Sequence, residues 1–407
     1  MAAIKYWVWL SALRLSPKSK QALMDHFHGD PERMYYSTEE EILSVQGLGK
    51  WDASVLKERE LDTAMEIMAR CEAEGISITT QQDASYPDRL RNIYDAPVVL
   101  YSKGRLPNID EEAAVAVIGT RNASPYGLKM ARRFGHDIAR QGGVVISGLT
   151  RGIDRVAAEG ALYADGKVIG VLGTSHDEAV GGIYDEVAAR GALISEYAPG
   201  QRTAKENFRY RNRITSGLSV GVLVVEAPEG SNCLRFADDA LEQGKDVFVL
   251  PGNVDAENCA GSNRLLKDGA RPVTGAWDIL AEYSQMYREK LHCIPNHELK
   301  KMGKAVDEEP DKYADFLQVR VPNPKKIIDK PKPVEYIDLE KQLDGLTELQ
   351  LKIVSAMSKE AIHIDDLIDA TGLDPATMLA ELTMLQIEGI VSQQAGKRFT
   401  LNITRGS

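Results

Sequence analysis

The sequence predicts an α/β protein centred on an extended Rossmann-like, doubly wound and mostly parallel sheet. From about residue 113, short apolar runs alternate with amphipathic segments, a pattern typical of parallel strands covered by helices on both faces. The first 80 residues contain short helical patterns broken by turns, and the C-terminal stretch combines three helical patterns with a hairpin, as a winged helix does. The predicted domains are a helical (SAM-like or helix-hairpin-helix-like) domain at 1–80, the Rossmann-like domain at 81–285, a charged linker rich in proline and lysine at 286–345, and the winged helix at 346–407.

The composition sets bounds on the class of protein. A chain of 407 residues, with 43% hydrophobic and 27% charged residues, is typical of a multidomain globular protein. No apolar run is long enough for a transmembrane helix and the N-terminus lacks a signal-peptide pattern, so we expect a cytoplasmic protein. The four cysteines lack the paired spacing of zinc sites or disulfides, and we expect reduced, mostly buried thiols. The net charge of −11 restricts any nucleic-acid contact to a local surface.

Two signals stand out in the N-terminal helical region. Thr38 and Glu41 have the spacing of a capping box, which predicts a helix start. The turn 45–50 has the apolar-x-Gly-apolar-Gly pattern of a helix-hairpin-helix, whose backbone amides can bind a DNA phosphate. The same turn also suits a plain connection between two helices. The acidic residues close by, with Lys50 as the cation of the turn, favour that second interpretation.

Six buried strands are predicted in the central domain, at residues 114–118, 144–147, 168–172, 192–195, 220–226 and 246–250. The helix after the first strand, 126–141, follows a Ser-Pro pair that suits a helix start. In open parallel sheets, ligands bind beyond the carboxyl ends of the strands. The loops that follow these strands are therefore where a site is expected.

The loop after the first strand contains Gly119, Thr120 and Arg121 at the start of a helix. An arginine beside free helix amides suits a phosphate group, so we predict that this loop binds an anion. The alternative is a surface arginine at a tight turn. The loop lacks the G-x-G-x-x-G dinucleotide fingerprint, and we expect no NAD, FAD or other cofactor.

The loop after the second strand repeats this pattern, with Gly148 and Arg151 before a helix. Because neighbouring strands end at the same edge of a sheet, Arg121 and Arg151 are predicted to form one anion-binding pocket. Asp154, at the entry of the helix, is predicted either to cap that helix or to hold Arg151 in place.

The most distinctive local feature is the segment 201–213, which has five basic residues and one acidic residue in an acidic chain. Phe208 and Tyr210 alternate with its arginines, and a protein that binds single-stranded nucleic acid needs this combination of stacking rings and cations. The alternative is that Phe208 belongs to the core and the arginines form surface ion pairs. The predicted DNA-binding residues of this segment are Lys205, Asn207, Phe208, Arg209, Arg211, Asn212 and Arg213.

A third basic element follows the last strand of the predicted sheet. Its residues Asn263, Arg264 and Lys267 can extend the same DNA-binding groove. Taken alone, the element is an ordinary amphipathic helix start.

An enzyme is not predicted. The seven histidines have no metal-ligand spacing, and neither a G-x-S-x-G motif nor a Walker A loop occurs. His176 and Asp177 form the one titratable pair near a strand end. Such a pair can be catalytic in principle, but a polar loop is the commoner explanation.

Several of these motifs occur together, and in order, in one known family. The motifs are Gly119-Thr-Arg121, Ser147-Gly-Leu-Thr-Arg-Gly-Ile-Asp154, Ser195-Glu-Tyr197, Asn207-Phe-x-x-Arg-Asn-Arg213, Val225-Glu-Ala227, Pro251-Gly252 and Gly261-x-Asn-Arg-Leu265. Together they resemble the DprA family, also called Smf, over roughly residues 80–285. The resemblance implies an extended Rossmann domain that binds single-stranded DNA, dimerises, protects the strand from nucleases and hands it to the recombinase RecA during transformation.

Carried over position by position, the resemblance implies that Arg121 is the arginine of the family's Gly-Ser-Arg motif, that Phe208 is its base-stacking aromatic, and that 211–213 is its Arg-Asn-Arg element. Thr120 stands where the family usually has serine. The segments 173–182 and 229–236 depart from the family pattern, so we expect a divergent member. Two alternatives stay open: a nucleotide-hydrolysing enzyme of the phosphoribohydrolase type on a related fold, and an adaptor that recruits a protein partner through its winged helix.

The predicted winged helix is acidic, with four basic and eight acidic residues between Thr347 and Asn402. Its candidate recognition helix, 374–388, contains no lysine or arginine, so it is badly suited to the phosphate-lined groove of a duplex. We therefore predict that this domain binds protein and that DNA binding belongs to the Rossmann-like domain.

Overall fold

The computed structural model describes residues 2–57, 59–295, 298–299, 346–357, 362–387, 390–394 and 398–401. The chain divides into two compact units, Met1–Phe316 and Leu317–Ser407. Each unit has buried cores of its own.

Within its described residues, the first unit forms one sheet of nine strands: β1 (Ile76–Thr80), β2 (Val99–Gly104), β3 (Ala114–Ile118), β4 (Val144–Ser147), β5 (Val168–Leu172), β6 (Ala192–Ser195), β7 (Gly221–Val224), β8 (Asp246–Val249) and β9 (Arg271–Pro272). The strand order is β1-β2-β6-β5-β4-β3-β7-β8-β9. Strands β3 to β9 pair in parallel, whereas β2 runs antiparallel to both of its neighbours. The mostly parallel sheet and its six predicted strands are confirmed, to within two residues at the strand ends.

Three strands of this sheet were not predicted from the sequence. β2 contains the fully buried run from Val99 to Tyr101, but it precedes the alternation of strands and helices that marks a parallel sheet. Its partner β1 lies within residues 1–80, so the sheet begins inside the region predicted to be a helical domain. β9 has two residues and is too short to show a strand period.

The helices of the first unit are α1 (Ile4–Ala12), α2 (Pro17–His26), α3 (Pro31–Tyr36), α4 (Glu39–Leu43), α5 (Lys50–Val55), α6 (Leu61–Glu74), α7 (Asp88–Arg91), α8 (Pro125–Arg140), α9 (Ile153–Tyr163), α10 (Ile183–Arg190), α11 (Lys205–Leu218), α12 (Asn232–Glu242), α13 (Ala260–Lys267) and α14 (Ala276–Leu280). Among the described residues, no helix is long and apolar enough to cross a membrane.

Helices cover both faces of the sheet. One face packs against α8, α9 and α10 around a core that includes Phe134 and Val187. The other face packs against α11, α12 and α13 around a core that includes Leu218 and Phe236. This confirms the predicted doubly wound arrangement, which places the β–α loops at the carboxyl edge of the sheet.

The N-terminal helices pack against β1 and β2 around a core that includes Trp7 and Tyr101. Thr38 caps α4 as predicted, because its hydroxyl accepts a hydrogen bond from the Glu41 amide at 3.2 Å. The Glu41 carboxylate instead accepts from Arg33 at 3.3 Å, so the reciprocal half of the capping box is not formed.

The turn 45–50 joins α4 to α5. Gly47 has a φ of +90°, in the region that favours glycine. The Gly49 amide donates to the Asp52 carboxylate at 2.9 Å, so one amide that a phosphate would need is already engaged. This contact favours the interpretation of the turn as a helix connection.

The first residues of the predicted linker 286–345 are part of the Rossmann-like unit. Tyr287 and Leu291 lie in the core beside α8, and the His292 amide donates to the Gln141 carbonyl at 3.2 Å. These apolar residues lie in a stretch that is otherwise charged, so the composition of the stretch did not indicate that they are part of the core. Most of the predicted linker lies outside the described residues.

The described part of the second unit contains α15 (Glu348–Ala356), β10 (Ile362–His363), α16 (Ile364–Thr371), α17 (Pro375–Ile387), β11 (Val391–Gln394) and β12 (Arg398–Leu401). The sheet has the order β10-β12-β11. The predicted winged helix is thereby confirmed, and β10 is an additional short strand. On α17, Leu379 and Met384 are exposed.

Candidate nucleic-acid interface

The loops after β3, β4 and β5 lie side by side at the carboxyl edge of the sheet, because these strands are parallel neighbours. Adjacent strands are about 4.8 Å apart, so this edge spans roughly 10 Å from β5 to β3. We name the region the strand-end crevice, and define it as the loops 119–124, 148–152 and 173–182 together with residues 205–211 of α11.

The loop after β3 is held in a sharp turn. A Cβ on Gly119 would lie 2.6 Å from the Ile153 side chain, so no larger residue fits there. The Thr120 amide donates to the Glu226 carbonyl at 2.8 Å, and the Asn122 amide donates to the Thr120 hydroxyl at 3.2 Å. Between these two bonds, Arg121 is exposed at the edge of the crevice.

Glu226, two residues after the end of β7, belongs to the site although no role was predicted for it. Its carboxylate accepts from the Ser124 amide at 2.9 Å and from the Ser124 hydroxyl. Ser124 also accepts from the Gly127 amide at 3.0 Å, which confirms the predicted Ser-Pro start of α8. A buried carboxylate thus fixes the start of the helix that follows Arg121. The available signal was an acidic residue at the end of the apolar run 220–226.

The loop after β4 reaches the loop after β3. Leu149 has a φ of +52°, which is uncommon for a residue with a side chain. Gly152 has a φ of +95°, and a Cβ there would collide with the Thr120 carbonyl. Arg151 is exposed and its guanidinium donates to the Asn122 side chain at 2.6 Å. The two loops that carry Arg121 and Arg151 are therefore joined.

Asp154 has neither of its two predicted roles. It makes no capping bond to α9, and Arg151 binds Asn122 instead. Its buried carboxylate accepts from the Gly119 amide at 3.3 Å and from the Thr150 hydroxyl at 3.2 Å. Burial raises the pKa of Asp154, and the positive charge of Arg211 opposes that shift.

The Phe208 ring lies over the end of β5. A Cβ on Gly173 would be 2.8 Å from the ring, so only a glycine allows this close approach. The ring is half-buried and belongs to neither of the two sheet cores, which differs from the alternative of a core phenylalanine. Lys205 and Arg209, which stand on either side of Phe208 along α11, are exposed.

Arg211 is buried at the bottom of the crevice. Its Nη1 donates to the Val171 carbonyl at 3.0 Å, and a Cβ on Gly148 would overlap its guanidinium. Its Nε has no hydrogen-bond partner among the described residues. Burial lowers the pKa of Arg211, and the Asp154 carboxylate opposes that shift. Arg211 thus places a charge beneath the crevice without being exposed.

Arg213, two residues further along α11, is also buried, with 6% of its surface exposed. Its guanidinium donates to the Glu196 carboxylate at 2.8 Å, to the Asp95 carbonyl at 2.9 Å and to the Tyr210 carbonyl at 2.9 Å. The Asp95 carboxylate lies 3.1 Å from Nε. Ion pairing was the alternative to DNA binding for these arginines, and Arg213 is ion-paired, although in the interior and not on the surface.

The two asparagines of the segment are less accessible than the exposed cations. Asn207 is buried and its carbonyl accepts from the Tyr197 hydroxyl at 3.4 Å. Asn212 is half-buried, and its carbonyl accepts from the Ser216 hydroxyl at 3.1 Å.

The third basic element lies beyond the ends of β7 and β8. The Asn263 side chain accepts from the Gly252 amide and donates to the Gly252 carbonyl, both at 3.2 Å, so it shapes the loop after β8. Arg264 forms an ion pair with Glu229 and lies 3.9 Å from Asp268. Lys267 is exposed at the end of α13.

His176 and Asp177 do not act as a pair. His176 is buried, contacts the Tyr101 carbonyl through Nε2 at 2.9 Å, and has its pKa lowered by burial. The Asp177 carboxylate accepts from Arg70 and from a loop amide. The thiols are less buried than predicted: Cys71 and Cys259 are buried, Cys233 is half-buried and Cys293 is exposed.

Comparison with known proteins identifies relatives of both units. Residues 77–284 match the family model described as DNA recombination-mediator protein A, and residues 338–397 match the model described as DprA winged helix domain. The chain is 29% identical over 405 residues to Protein Smf of Synechocystis, covering 97% of this chain and 98% of that protein. It is 36% identical over 220 residues to DNA processing protein DprA of Bacillus subtilis, covering 53% of this chain and 74% of that protein.

A solved structure agrees with these matches. The X-ray structure of DNA processing protein A from Streptococcus pneumoniae aligns with a TM-score of 0.59 and 30% identity, covering 69% of this chain and 99% of that one. The fold of the aligned part of the chain is therefore shared with that protein. The chain belongs to the family of DNA recombination-mediator protein A, also called DprA or Smf, and carries the winged helix domain of that family.

Proposed function

We propose that the chain is a single-stranded DNA-binding protein, without enzymatic activity of its own, that acts in DNA processing during transformation or recombination. The observation that carries this proposal is the Phe208 ring, half-buried on Gly173 and flanked by exposed Lys205 and Arg209. A ring that offers part of its surface to a base, beside cations that attract phosphates, is the combination that single-stranded DNA requires. Membership of the DprA family supports the same function.

The strand-end crevice favours a single strand over a duplex. A base can stack on Phe208 only after it has left its own stack, which costs least in a strand that is already unpaired. The crevice is also narrow, because its floor from β5 to β3 spans roughly 10 Å.

Burial divides the predicted DNA-binding residues into three groups with different proposed roles. The exposed cations contact phosphates and the half-buried ring stacks on a base: Arg121, Arg151, Lys205, Arg209 and Phe208. The buried or half-buried residues shape the crevice: Gly119, Thr120, Gly148, Asn207, Arg211, Asn212 and Arg213. The residues of the third basic element lie at the margin, where a longer strand would pass: Asn263, Arg264 and Lys267.

The family also supports proposals about partners. We propose that a second copy of the chain forms a homodimer with it, that the bound strand is protected from nucleases, and that a RecA-type recombinase is loaded onto this strand. The surface that we assign to DNA accounts only for binding of the single strand. Dimerisation, nuclease protection and recombinase loading each need an assay of their own.

The test titrates the full chain into a labelled oligothymidylate and into a duplex of equal length over a series of KCl concentrations. We expect tighter binding to the single strand and a log–log salt slope of about 0.7 for each phosphate contact. Nuclease protection and RecA filament formation on the same oligonucleotide test the later steps. Equal affinity for both DNAs, or no binding at moderate salt, contradicts the proposal, and hydrolysis of free nucleotides contradicts its non-enzymatic part.

A further inference from the structure

The first turn of α11 depends on the chain that leads into it. We name residues 196–204, between β6 and α11, the α11 entry segment. Its last residue, Ala204, is the N-cap of α11 and supplies no side-chain hydrogen bond to the helix. The turn that carries Lys205 and Phe208 is therefore placed by the packing of the Phe208 ring on Gly173 and by contacts of the entry segment with other parts of the molecule.

Two of these contacts come from the loop after β5. The Gly200 amide donates to the Asp177 carboxylate at 2.6 Å, and the Thr203 hydroxyl donates to the Glu178 carboxylate. Gly200 has a φ of +85°, so this tight turn favours a glycine. The loop 173–182, which departs from the sequence pattern of the family, thus holds the entry segment through two acidic side chains.

The N-terminal helices reach the same point. Arg70 of α6 donates through Nη2 to the Asp177 carboxylate at 2.5 Å, while its Nε donates to Glu74 at 2.6 Å. Its Nη1 lies 3.1 Å from the position that a Cβ on Gly200 would take. Ala198 of the entry segment is 2% exposed and packs in the N-terminal core. The N-terminal helices therefore contact the entry segment by ion pairing and by packing.

We infer that Arg70 is a positioning residue for single-stranded DNA binding, which acts by holding Asp177 against the α11 entry segment and so fixes the first turn of α11 in the crevice. The inference rests on the proposed function. It means that the N-terminal helices, which supply none of the proposed DNA contacts, set the affinity of the crevice.

Charge provides a way to separate positioning from direct contact with DNA. If Arg70 met a phosphate, its removal would reduce the salt slope of binding. If Asp177 acted only by its negative charge, its neutralisation would strengthen DNA binding, because it would remove repulsion. Positioning predicts a different result, in which the loss of either partner weakens binding and leaves the salt slope unchanged.

The experiment titrates the labelled oligothymidylate, over a KCl series, with the full chain and its variants Arg70→Ala, Arg70→Lys and Asp177→Asn. Arg33→Ala is the matched control, since Arg33 forms an exposed ion pair with Glu41 in the same helical region. We expect Arg70→Ala and Asp177→Asn each to weaken binding about tenfold with an unchanged slope. Arg70→Lys should regain part of the affinity, and the control should match the wild type. The thermal unfolding midpoints of all four variants should stay close to that of the wild type.

Three results overturn the inference: an Arg70→Ala variant that binds like the wild type, an Asp177→Asn variant that binds more tightly, or a slope reduced by about 0.7 in Arg70→Ala. A wild type that does not bind the oligonucleotide overturns the proposed function and this inference with it. A wild type that binds, with variants that do not differ from it, overturns the inference alone.

Discussion

Helix α11 carries arginines of two kinds within little more than one turn. Arg209 is exposed beside Phe208 at the edge of the sheet, whereas Arg213 is buried between Glu196 and Asp95. In the sequence both belong to one basic segment, and a count of charges treats them alike. The difference arises because the second half of α11 packs on the sheet, so that residues 213–218 are buried, whereas Lys205 and Arg209 in its first half are exposed.

A basic motif therefore has to be divided by burial before roles are assigned to its residues. An exposed guanidinium can exchange counterions and water for a phosphate. A buried guanidinium already has its partners, and breaking a buried ion pair by removing one partner costs several kcal/mol. Substitutions in the inner, second half of α11, which contains Arg213, should therefore change stability. Substitutions in the outer, first half, which contains Phe208 and Arg209, should change DNA affinity.

The largest effect is expected at Arg213. Arg213→Ala leaves the carboxylates of Glu196 and Asp95 without their buried partner, so we expect the free energy of unfolding to fall by about 3–5 kcal/mol. Urea denaturation at neutral pH measures the loss. The control Arg33→Ala removes an exposed ion pair and should cost less than about 1 kcal/mol. Equal losses of unfolding free energy for the two variants would show that the burial of Arg213 does not make its ion pairs more important for stability than an exposed pair.

The free energy of unfolding should also depend on pH, through Lys20, which interacts with the charges of Glu196 and Arg213. Lys20 is buried, and burial lowers its pKa from 10.5 to about 8, with the charge of Glu196 opposing and that of Arg213 adding to the shift. Between these two pKa values the unfolded chain binds a proton that the folded chain has lost. Raising the pH through this window should therefore stabilise the wild type, by on the order of 3 kcal/mol.

The measurement compares the wild type with Lys20→Met by denaturant unfolding from neutral pH to about pH 10, where the unfolded lysine begins to lose its proton. The stability of the wild type should rise relative to that of the variant as the pH passes 8. Two curves that stay parallel across the window would contradict the lowered pKa of Lys20.

In the outer half, Phe208→Ala should weaken binding of the labelled oligothymidylate by about 1–3 kcal/mol, because one stacked base loses its ring. The salt slope should not change, since no cation is removed. Phe208→Trp should keep most of the affinity. Tyr163→Ala, which removes an exposed aromatic ring at the far end of α9, serves as the control and should bind as the wild type does. An effect on unfolding without an effect on binding would assign Phe208 to the core.

The smallest effect distinguishes two exposed arginines. Arg121→Ala should reduce the log–log salt slope by about 0.7, which corresponds to one phosphate contact on a single strand. Arg264→Ala should leave the slope unchanged, because Arg264 is already paired with Glu229 and lies close to Asp268. Anisotropy titrations over a KCl series measure both slopes. Equal reductions of the salt slope in the two variants would show that the third basic element also contacts phosphates.

Local features of the sequence were sufficient to predict most of the framework. The strand runs, the Ser-Pro start of α8 and the three helices of the winged helix depend on neighbours within a few positions, so periodicity and capping rules apply to them directly. The short strand β9 and the early pair β1 and β2 were missed, because their places in the sheet depend on partners and not on a local pattern.

The candidate site was predictable in its location but not in its internal roles. The glycine-arginine loops and the basic segment were found because they follow buried strands and differ in charge from the rest of the chain. The sequence did not distinguish Arg209 from Arg213, and it did not reveal Glu226 as the carboxylate that holds the start of α8. Asp154 was placed correctly near the crevice, yet it binds Gly119.

Most of the helices and strands, and the positions of the charges and rings of α11 along the chain, follow from the sequence alone, since these properties are local. The tertiary structure decided which of those groups remain free to meet a ligand. Arg213 is paired with Asp95, 118 residues away, and Arg70 with Asp177, 107 residues away. Burial and ion pairing depend on such distant partners, and a side chain's access to DNA is fixed only after the sheet has brought them together.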